Sequence, residues 1–345
     1  MSEPRRCGIH KRFRLPHCSR FDFFQIGGDQ FEMKLSKLFG EQEQADALLD
    51  IKNSIHSLSK QVSSLQQKLA RIEAMEHGGR ATYVGNGRVL SKATFQDFSL
   101  SYLVPGSDRL IAPHLITHGE HEPEIADYFI THVKKTDHCV DIGANFGFFT
   151  ALMARLATEG HTIGIEPDPE TFALMRDNIY INFLEGRAEA ICGAISNQDG
   201  SLTLHRRDTR PGNTSIIVEP TEKLERMGEA PSVEFSVPSY RIDSLLDRMS
   251  GRIDHVKIDV EGAEPLAFAG IGETLKANPK IQIIMEWAPG QIRSAGFDAA
   301  QFTRDLEQLG LYPTGIAHDG NTWSLNYGYL LSIPYMSGVL LRLKD

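Results

Sequence analysis

The chain runs to 345 residues, 41% of them hydrophobic and 23% charged, the balance of a globular protein with one core domain and an appendage. A formal charge of -9 argues against a nucleic-acid backbone as the main partner. No stretch reaches the ~18 apolar residues of a membrane span and the N-terminus has no apolar signal core, so no membrane span and a cytoplasmic location are expected.

The charge is uneven. Arg5, Arg6, Lys11, Arg12, Arg14 and Arg20 face Glu3 alone in the first twenty residues, and residues 1–34 read as a basic, disordered tail. Cys7, His10, His17 and Cys18 do not have a standard zinc spacing. Met33-Lys34-Leu35-Ser36 has the form of a bacterial start, which motivates the hypothesis that residues 1–32 are not native. Codons without GGAGA at Gly28-Asp29 would remove the support for that hypothesis. Cys139 and Cys192 lie in apolar runs and read as buried free thiols.

Residues 35–77 carry a second pattern. Leu48, Ile51, Ile55, Leu58, Val62, Leu65, Leu69 and Ile72 alternate at gaps of three and four, the a and d seam of a coiled coil. A helix packed on its own domain shows a wider apolar stripe. The spacing predicts an oligomerisation helix that ends at Gly78-Gly79, with a homo-oligomer as its consequence. Residues 78–137 read as lead-in strands and then a helix over Pro123–Val133. From 138 to the end, apolar runs at His138–Ile142, Thr162–Glu166, Ala188–Ile195, Val256–Asp259 and Ile281–Glu286 alternate with helical stretches. That is the pattern of a parallel sheet covered by helices, an α/β Rossmann-like fold.

The strongest local feature is Val140-Asp141-Ile142-Gly143-Ala144-Asn145-Phe146-Gly147, between the first of these strands and a helix over Phe148–Leu156. Glycines let the chain turn sharply and let a ligand approach the main chain. Asn145 and Phe148 stand where a dinucleotide fingerprint has glycines. The loop suits instead the methionine half of S-adenosylmethionine, which has no pyrophosphate. Glu166 follows Gly147 by 19 residues, the distance at which a strand-end carboxylate meets a ribose; a helix cap at Asp168-Pro169 is its other reading. Ser196 and Asn197 follow the third strand, where an adenine edge would lie.

The second cluster is His255-Val256-Lys257-Ile258-Asp259-Val260-Glu261-Gly262-Ala263-Glu264. Alternation puts Val256 and Ile258 on one face and His255, Lys257 and Asp259 on the other. A lysine inside a central parallel strand needs a carboxylate partner. Asp259 and Glu286 end neighbouring strands, where ligands of open α/β sheets bind. Three uses remain open to Asp259: a general base, a ligand of a divalent cation, or a neutraliser of Lys257. No metal site is predicted.

The stretches VDIGANFGFFT, GIEPDPE, the helix end with Asn178 and Asn182, and RIDSLLD…HVKIDVEGAE…LAFAG resemble the FkbM family of methyltransferases over roughly residues 110–335. The resemblance implies a class I methyltransferase fold, a mostly parallel seven-stranded sheet whose last hairpin runs antiparallel. It also implies S-adenosylmethionine as cofactor and O-methylation of a sugar, glycan or secondary-metabolite hydroxyl. By match of motif, Asp141, Gly143, Asn145 and Gly147 line the cofactor and Glu166 holds its ribose. Glu122 falls in a turn where the family usually has an aromatic residue at the position of His121. The coiled coil lies outside the resemblance.

His114, His118 and His121 read as solvated loop residues, because Pro113, Gly119 and Pro123 break a long helix. A hydroxyl is a poor nucleophile at neutral pH, so a base is needed, with Asp259, Glu261 and His205 as candidates. The loop Arg206–Ser215 is either a cover for an acceptor or a plain connection. Trp287 reads either as a wall of the acceptor pocket or as a buried anchor. Two rival functions stand beside this reading: a non-catalytic scaffold on a degenerate fold, and a nicotinamide-dependent oxidoreductase.

Overall fold

The computed structural model describes residues 81–344 except 109–110, 208–213, 219 and 227–229, together with eight helical residues between 51 and 62. The chain divides into two compact units, 1–69 and 70–345. In the first unit Ile51, Ile55, Leu58 and Val62 are helical and 49–61% exposed. Leu48, Leu65, Leu69 and Ile72 of the seam, the hinge at Gly78-Gly79 and the basic tail lie outside the described residues.

In the second unit the lead-in segment and the α/β segment form one body. Its strands in chain order are β1 (Thr82–Gly85), β2 (Arg88–Thr94), β3 (Ser99–Pro105), β4 (Cys139–Ile142), β5 (Thr162–Glu166), β6 (Ala188–Cys192) and β7 (Ala194–Ile195). They continue with β8 (Gly200–Arg206), β9 (Val233–Tyr240), β10 (His255–Ile258), β11 (Gln282–Trp287), β12 (Leu311–Ile316), β13 (Thr322–Ser324) and β14 (Met336–Leu343).

The main sheet has the order β13-β12-β14-β11-β10-β4-β5-β6. β4, β5, β6, β10 and β11 are parallel, and β14 inserts antiparallel between β11 and β12. This is the expected seven-stranded arrangement, widened by the three-residue edge strand β13. β4 and β5 are buried at every position, because helices or loops cover both faces. One face packs Val140, Ile163, Val256 and Ile283 into a core with Trp287 and Phe302. The other packs Cys139, Ile284 and Leu340 against the helices Pro123–His132, Phe148–Leu156 and Pro169–Ile181. Trp287 is fully buried, donates its indole N–H to the Leu330 carbonyl at 2.8 Å and stacks on Phe302. It is an anchor, set apart from any acceptor.

The run Ala188–Ile195 differs from a single strand. β6 stops at Cys192, and β7 turns away to pair with β9 in a separate sheet, β7-β9-β8. The break sits at Gly193, where a Cβ would come within 2.8 Å of the Tyr240 ring and 2.9 Å of the Pro238 carbonyl. A third sheet, β1-β2-β3, lies beside helix Pro169–Ile181. Asn178 and Asn182 of that helix each exchange two hydrogen bonds with the main chain of β3, at Leu103 and Ser101. Among the described residues, no helix is long and apolar enough to cross a membrane.

Candidate active site

The site forms at the carboxyl ends of β4, β5, β10 and β11, where the strands stop and the chain turns outward. Gly143 has φ +75°, and a Cβ there would lie 1.7 Å from the Asp259 carbonyl oxygen. The first glycine therefore lets the loop after β4 press against the end of β10. Gly147 has φ +82°, and its Cβ would meet Met175 at 2.7 Å; it serves close packing on helix Pro169–Ile181. Asn178, fully buried, donates to the Phe146 carbonyl at 2.8 Å as well as to β3. One asparagine thus ties the glycine loop to the lead-in sheet.

Two cavities open at this end and share Gly143, Asp259 and Glu261. The first has apolar walls from Ile142, Ile165, Leu202, Leu204 and Ile216, and Glu166 also lines it. Thr214 and Ser215 also line it, so the described end of the loop Arg206–Ser215 covers this cavity. Glu166 accepts the Asn145 N–H at 2.8 Å and the Asp168 N–H at 2.9 Å. Burial pushes its carboxyl up to about 8 despite those two donors. Asp168 itself caps the next helix, accepting from Glu170 and Thr171. The lining of this cavity runs through Gly193, Ala194 and Ile195. Ser196 and Asn197 come next in the chain, with Ser196 buried and its N–H donated to Tyr240.

The second cavity, about 250 Å³, is acidic. Glu122, Asp141, Asp259, Glu261 and Glu286 line it, with Lys257 and His121. Lys257 finds the predicted partners: Asp259 at 3.0 Å and Glu122 at 3.6 Å. Burial alone would lower its pKa, but the carboxylates of Asp259, Glu122 and Asp141 outweigh that and raise it. Asp141 is 1% exposed; one oxygen accepts the Thr150 hydroxyl at 2.6 Å and Oδ1 has no partner. Burial raises the Glu122 carboxyl to about 7 against the pull of Lys257. Burial and the Asp259 charge raise Glu261 to about 8 and Glu286 to about 9.

Backbone strain gathers in the same place. Among the described residues, six other than glycine have positive φ, and three of them, Glu122 (45°), Asn145 (53°) and Glu261 (54°), line this cavity. Left-handed backbone costs a non-glycine residue of order 1–3 kcal/mol and persists where surrounding contacts enforce it. Those contacts are visible at Glu261. The buried Glu264 carboxylate accepts the N–H groups of Val260 and Gly262 at 3.4 and 3.2 Å. A Cβ on Gly262 would meet the Gln291 carbonyl at 2.7 Å. Gln291 donates its side-chain amide to the Glu261 carboxylate.

Of the sequence-derived candidates, Glu122, Asp141, Gly143, Asn145, Asp259 and Glu261 meet around this cavity, and Glu166 lines the apolar one. His205 pairs with Ser215 across a bridge and lines a side cavity that also touches Glu261 and Gln291. His121 is not a solvated loop residue. Its ring packs against Phe146, Phe148 and Phe149, and burial together with Lys257 lowers its pKa to about 3. Gln291 and Tyr335, with its hydroxyl on Glu286 at 2.9 Å, were not foreseen. Tyr335 arrives from a hairpin 49 residues beyond Glu286, which no local pattern marks. Among the described residues, no group of three or more His, Cys, Asp or Glu is placed to hold a metal ion.

A mostly parallel sheet with one reversed strand, and a glycine-loop crevice at its carboxyl end, define a class I methyltransferase fold. Residues 141–310 match the family model of the methyltransferase FkbM domain. Methyltransferase sdnD of Sordaria araneosa is 27% identical over 187 residues, 48% of this chain and 72% of that protein. Among solved structures, an O-methyltransferase from Bacillus cereus in complex with SAH is 13% identical with a TM-score of 0.38, over 68% of this chain and 86% of that one. TYW2 of M. jannaschii in complex with AdoMet is 11% identical with a TM-score of 0.37, over 75% and 86%. Likenesses of that looseness carry no residue roles.

Proposed function

We propose that the second unit binds S-adenosylmethionine and transfers its methyl group to a hydroxyl of a sugar, glycan or secondary metabolite. The observation that carries this reading is the pair of cavities joined at Gly143, Asp259 and Glu261. The apolar cavity suits an adenine and ribose, with Glu166 at the hydroxyls. The unpartnered buried oxygen of Asp141 suits the ammonium of the methionine half, since an orphaned buried acceptor costs about 1–3 kcal/mol until a donor meets it. Glu122 and Asn145 border the same end.

The cofactor supplies a methyl group on a positively charged sulfur, a good leaving group, so alignment of oxygen, carbon and sulfur is the main task. In the transfer the carbon–sulfur bond breaks with its electron pair left on sulfur, and a carbon–oxygen bond forms. The hydroxyl proton goes to a carboxylate. Asp259 is paired with Lys257 at 3.0 Å. Glu261 has no lysine partner among the described residues, is held in place by Gln291, and has a carboxyl raised to about 8. Glu261 is the better general base, Asp259 fixes Lys257 beside it, and His205 stands behind Glu261.

Calorimetry with S-adenosylmethionine tests the reading: binding near micromolar supports it, and no binding to a folded sample supports the scaffold. Nicotinamide binding would support the oxidoreductase instead. The exposed apolar row Ile51, Ile55, Leu58 and Val62 supports a homo-oligomer through the first unit. Light scattering should show Ile55→Asp with Leu58→Asp as a monomer; an unchanged mass rejects that part.

A further inference from the structure

We infer that the acceptor carries a protonated amine near the hydroxyl it offers, an amino sugar or amino alcohol, and that Glu286 and Gln291 recognise that amine. The inference rests on the methyltransferase reading and names its substrate class.

Glu286, Gln291 and Tyr335 line the acidic cavity and not the apolar one. The acidic cavity's buried oxygens without a hydrogen-bond partner are Glu286 Oε2, Gln291 Oε1, Glu122 Oε2 and Asp141 Oδ1, and of these Glu122 Oε2 meets Lys257 at 3.6 Å. Asp141 belongs to the cofactor end, so the two oxygens on Glu286 and Gln291 await donors from the acceptor. The geometry fixes why they are free. Tyr335 donates to Glu286 Oε1 only, and the Gln291 amide nitrogen is committed to Glu261, which leaves its oxygen without a donor.

Charge narrows the class. Lys257, the cation lining this cavity, is committed to Asp259 and Glu122, and the buried His121 ring is neutral. Arg207 acts on Glu261 from the side cavity, whereas Glu286 forms no ion pair with a described lysine or arginine. An acceptor bearing a phosphate or carboxylate would add acceptors and negative charge to an acidic cavity that needs donors. A neutral polyol would satisfy the oxygens without offsetting the burial that holds the Glu286 carboxyl up. An ammonium brings three N–H donors and the positive charge beside which Glu286 ionises. Seated between Glu286 Oε2 and Gln291 Oε1, it leaves Glu261 to receive the hydroxyl proton at the junction with the cofactor cavity.

The test uses the full chain with S-adenosylmethionine and four probes: D-glucosamine, N-acetyl-D-glucosamine, D-glucose and D-glucose 6-phosphate. Methylated products are read by mass spectrometry. The expected result is a kcat/KM for glucosamine on the order of tenfold or more above the N-acetyl and neutral sugars, with the phosphate lowest. Glu286→Gln, checked for folding by its cofactor affinity, should collapse the amine-to-acetyl ratio to about twofold or less. A protein that binds the cofactor but prefers the neutral, acetylated or phosphorylated sugar, or turns over none of the four, overturns the inference and leaves the methyltransferase reading intact. So does a Glu286→Gln protein with an unchanged ratio. Failure to bind the cofactor sinks the broader reading instead.

Discussion

At the amino ends of the parallel strands, Asp137 and Asp254 surround His255 and Arg252; at the carboxyl ends, Asp141, Asp259 and Glu286 surround Lys257. Both sets are largely buried, and both mix carboxylates with a cation. At the amino end every carboxylate oxygen is used. Asp137 takes Arg252 at 3.1 Å, His255 at 3.0 Å and the Lys134 N–H at 2.9 Å. Asp254 takes Arg252 and the His138 N–H. At the carboxyl end one lysine serves several acids, and oxygens of Asp141, Glu122 and Glu286 go without donors. Buried charge of the same kind is thus closed into structure at one end and held open for a ligand at the other.

The sharpest way to break the comparison is to exchange one acid at each end. Glu261→Gln should lower kcat by ~10²–10⁴-fold with cofactor affinity nearly unchanged; undiminished turnover would remove Glu261 as base. Asp137→Ala should leave the cofactor affinity alone and cost about 1–3 kcal/mol of stability, because the buried His255 loses its hydrogen-bond partner while Arg252 keeps Asp254. Denaturant unfolding reads that loss, and a stable variant would mean the amino-end network is incidental.

Asn178→Ala sharpens the picture at the hinge between the glycine loop and the lead-in sheet. Loss of its bonds to Leu103 and Phe146 should cost about 2 kcal/mol. It should also raise the KM for the cofactor; a stability loss without that rise would confine Asn178 to packing.

The smallest expected effect is a pH trend. Glu122, Glu166, Glu261 and Glu286 have folded pKa values raised to about 7, 8, 8 and 9 from an ordinary 4.5. Their contribution to stability is fully present below about 4.5 and is lost as pH rises through 7 to 9. The ligand-free thermal midpoint should therefore fall between pH 6 and 9, by on the order of 5 °C, and bound cofactor should offset part of the fall. A flat profile would show that the acids are already compensated.

Much of this was legible in the sequence, and the limits have physical causes. β4, β5, β10 and β11 showed themselves because strands buried on both faces must be apolar throughout. Lys257 announced its carboxylates because an unpaired lysine cannot sit there. The end of β6 did not show, since Gly193 breaks the strand only through Tyr240 and Pro238, which arrive more than forty residues later. Left-handed Glu261 was invisible because its neighbours are held by the Glu264 carboxylate and by close packing on Gln291, and nothing in the residue type asks for that conformation. His121 looked like a loop histidine because the phenylalanines that enclose it come from the following helix and loop.

The abutment of Gly143 on the Asp259 carbonyl has a consequence for how such proteins diversify. The seam between the methyl-donor side and the acceptor side is main chain against main chain, so it constrains side chains on neither bank except the glycine itself. Mutations that retune selectivity at positions 286, 291 and 335 can accumulate without disturbing the donor's seat. A lineage can in this way change what it modifies while conserving how it does so.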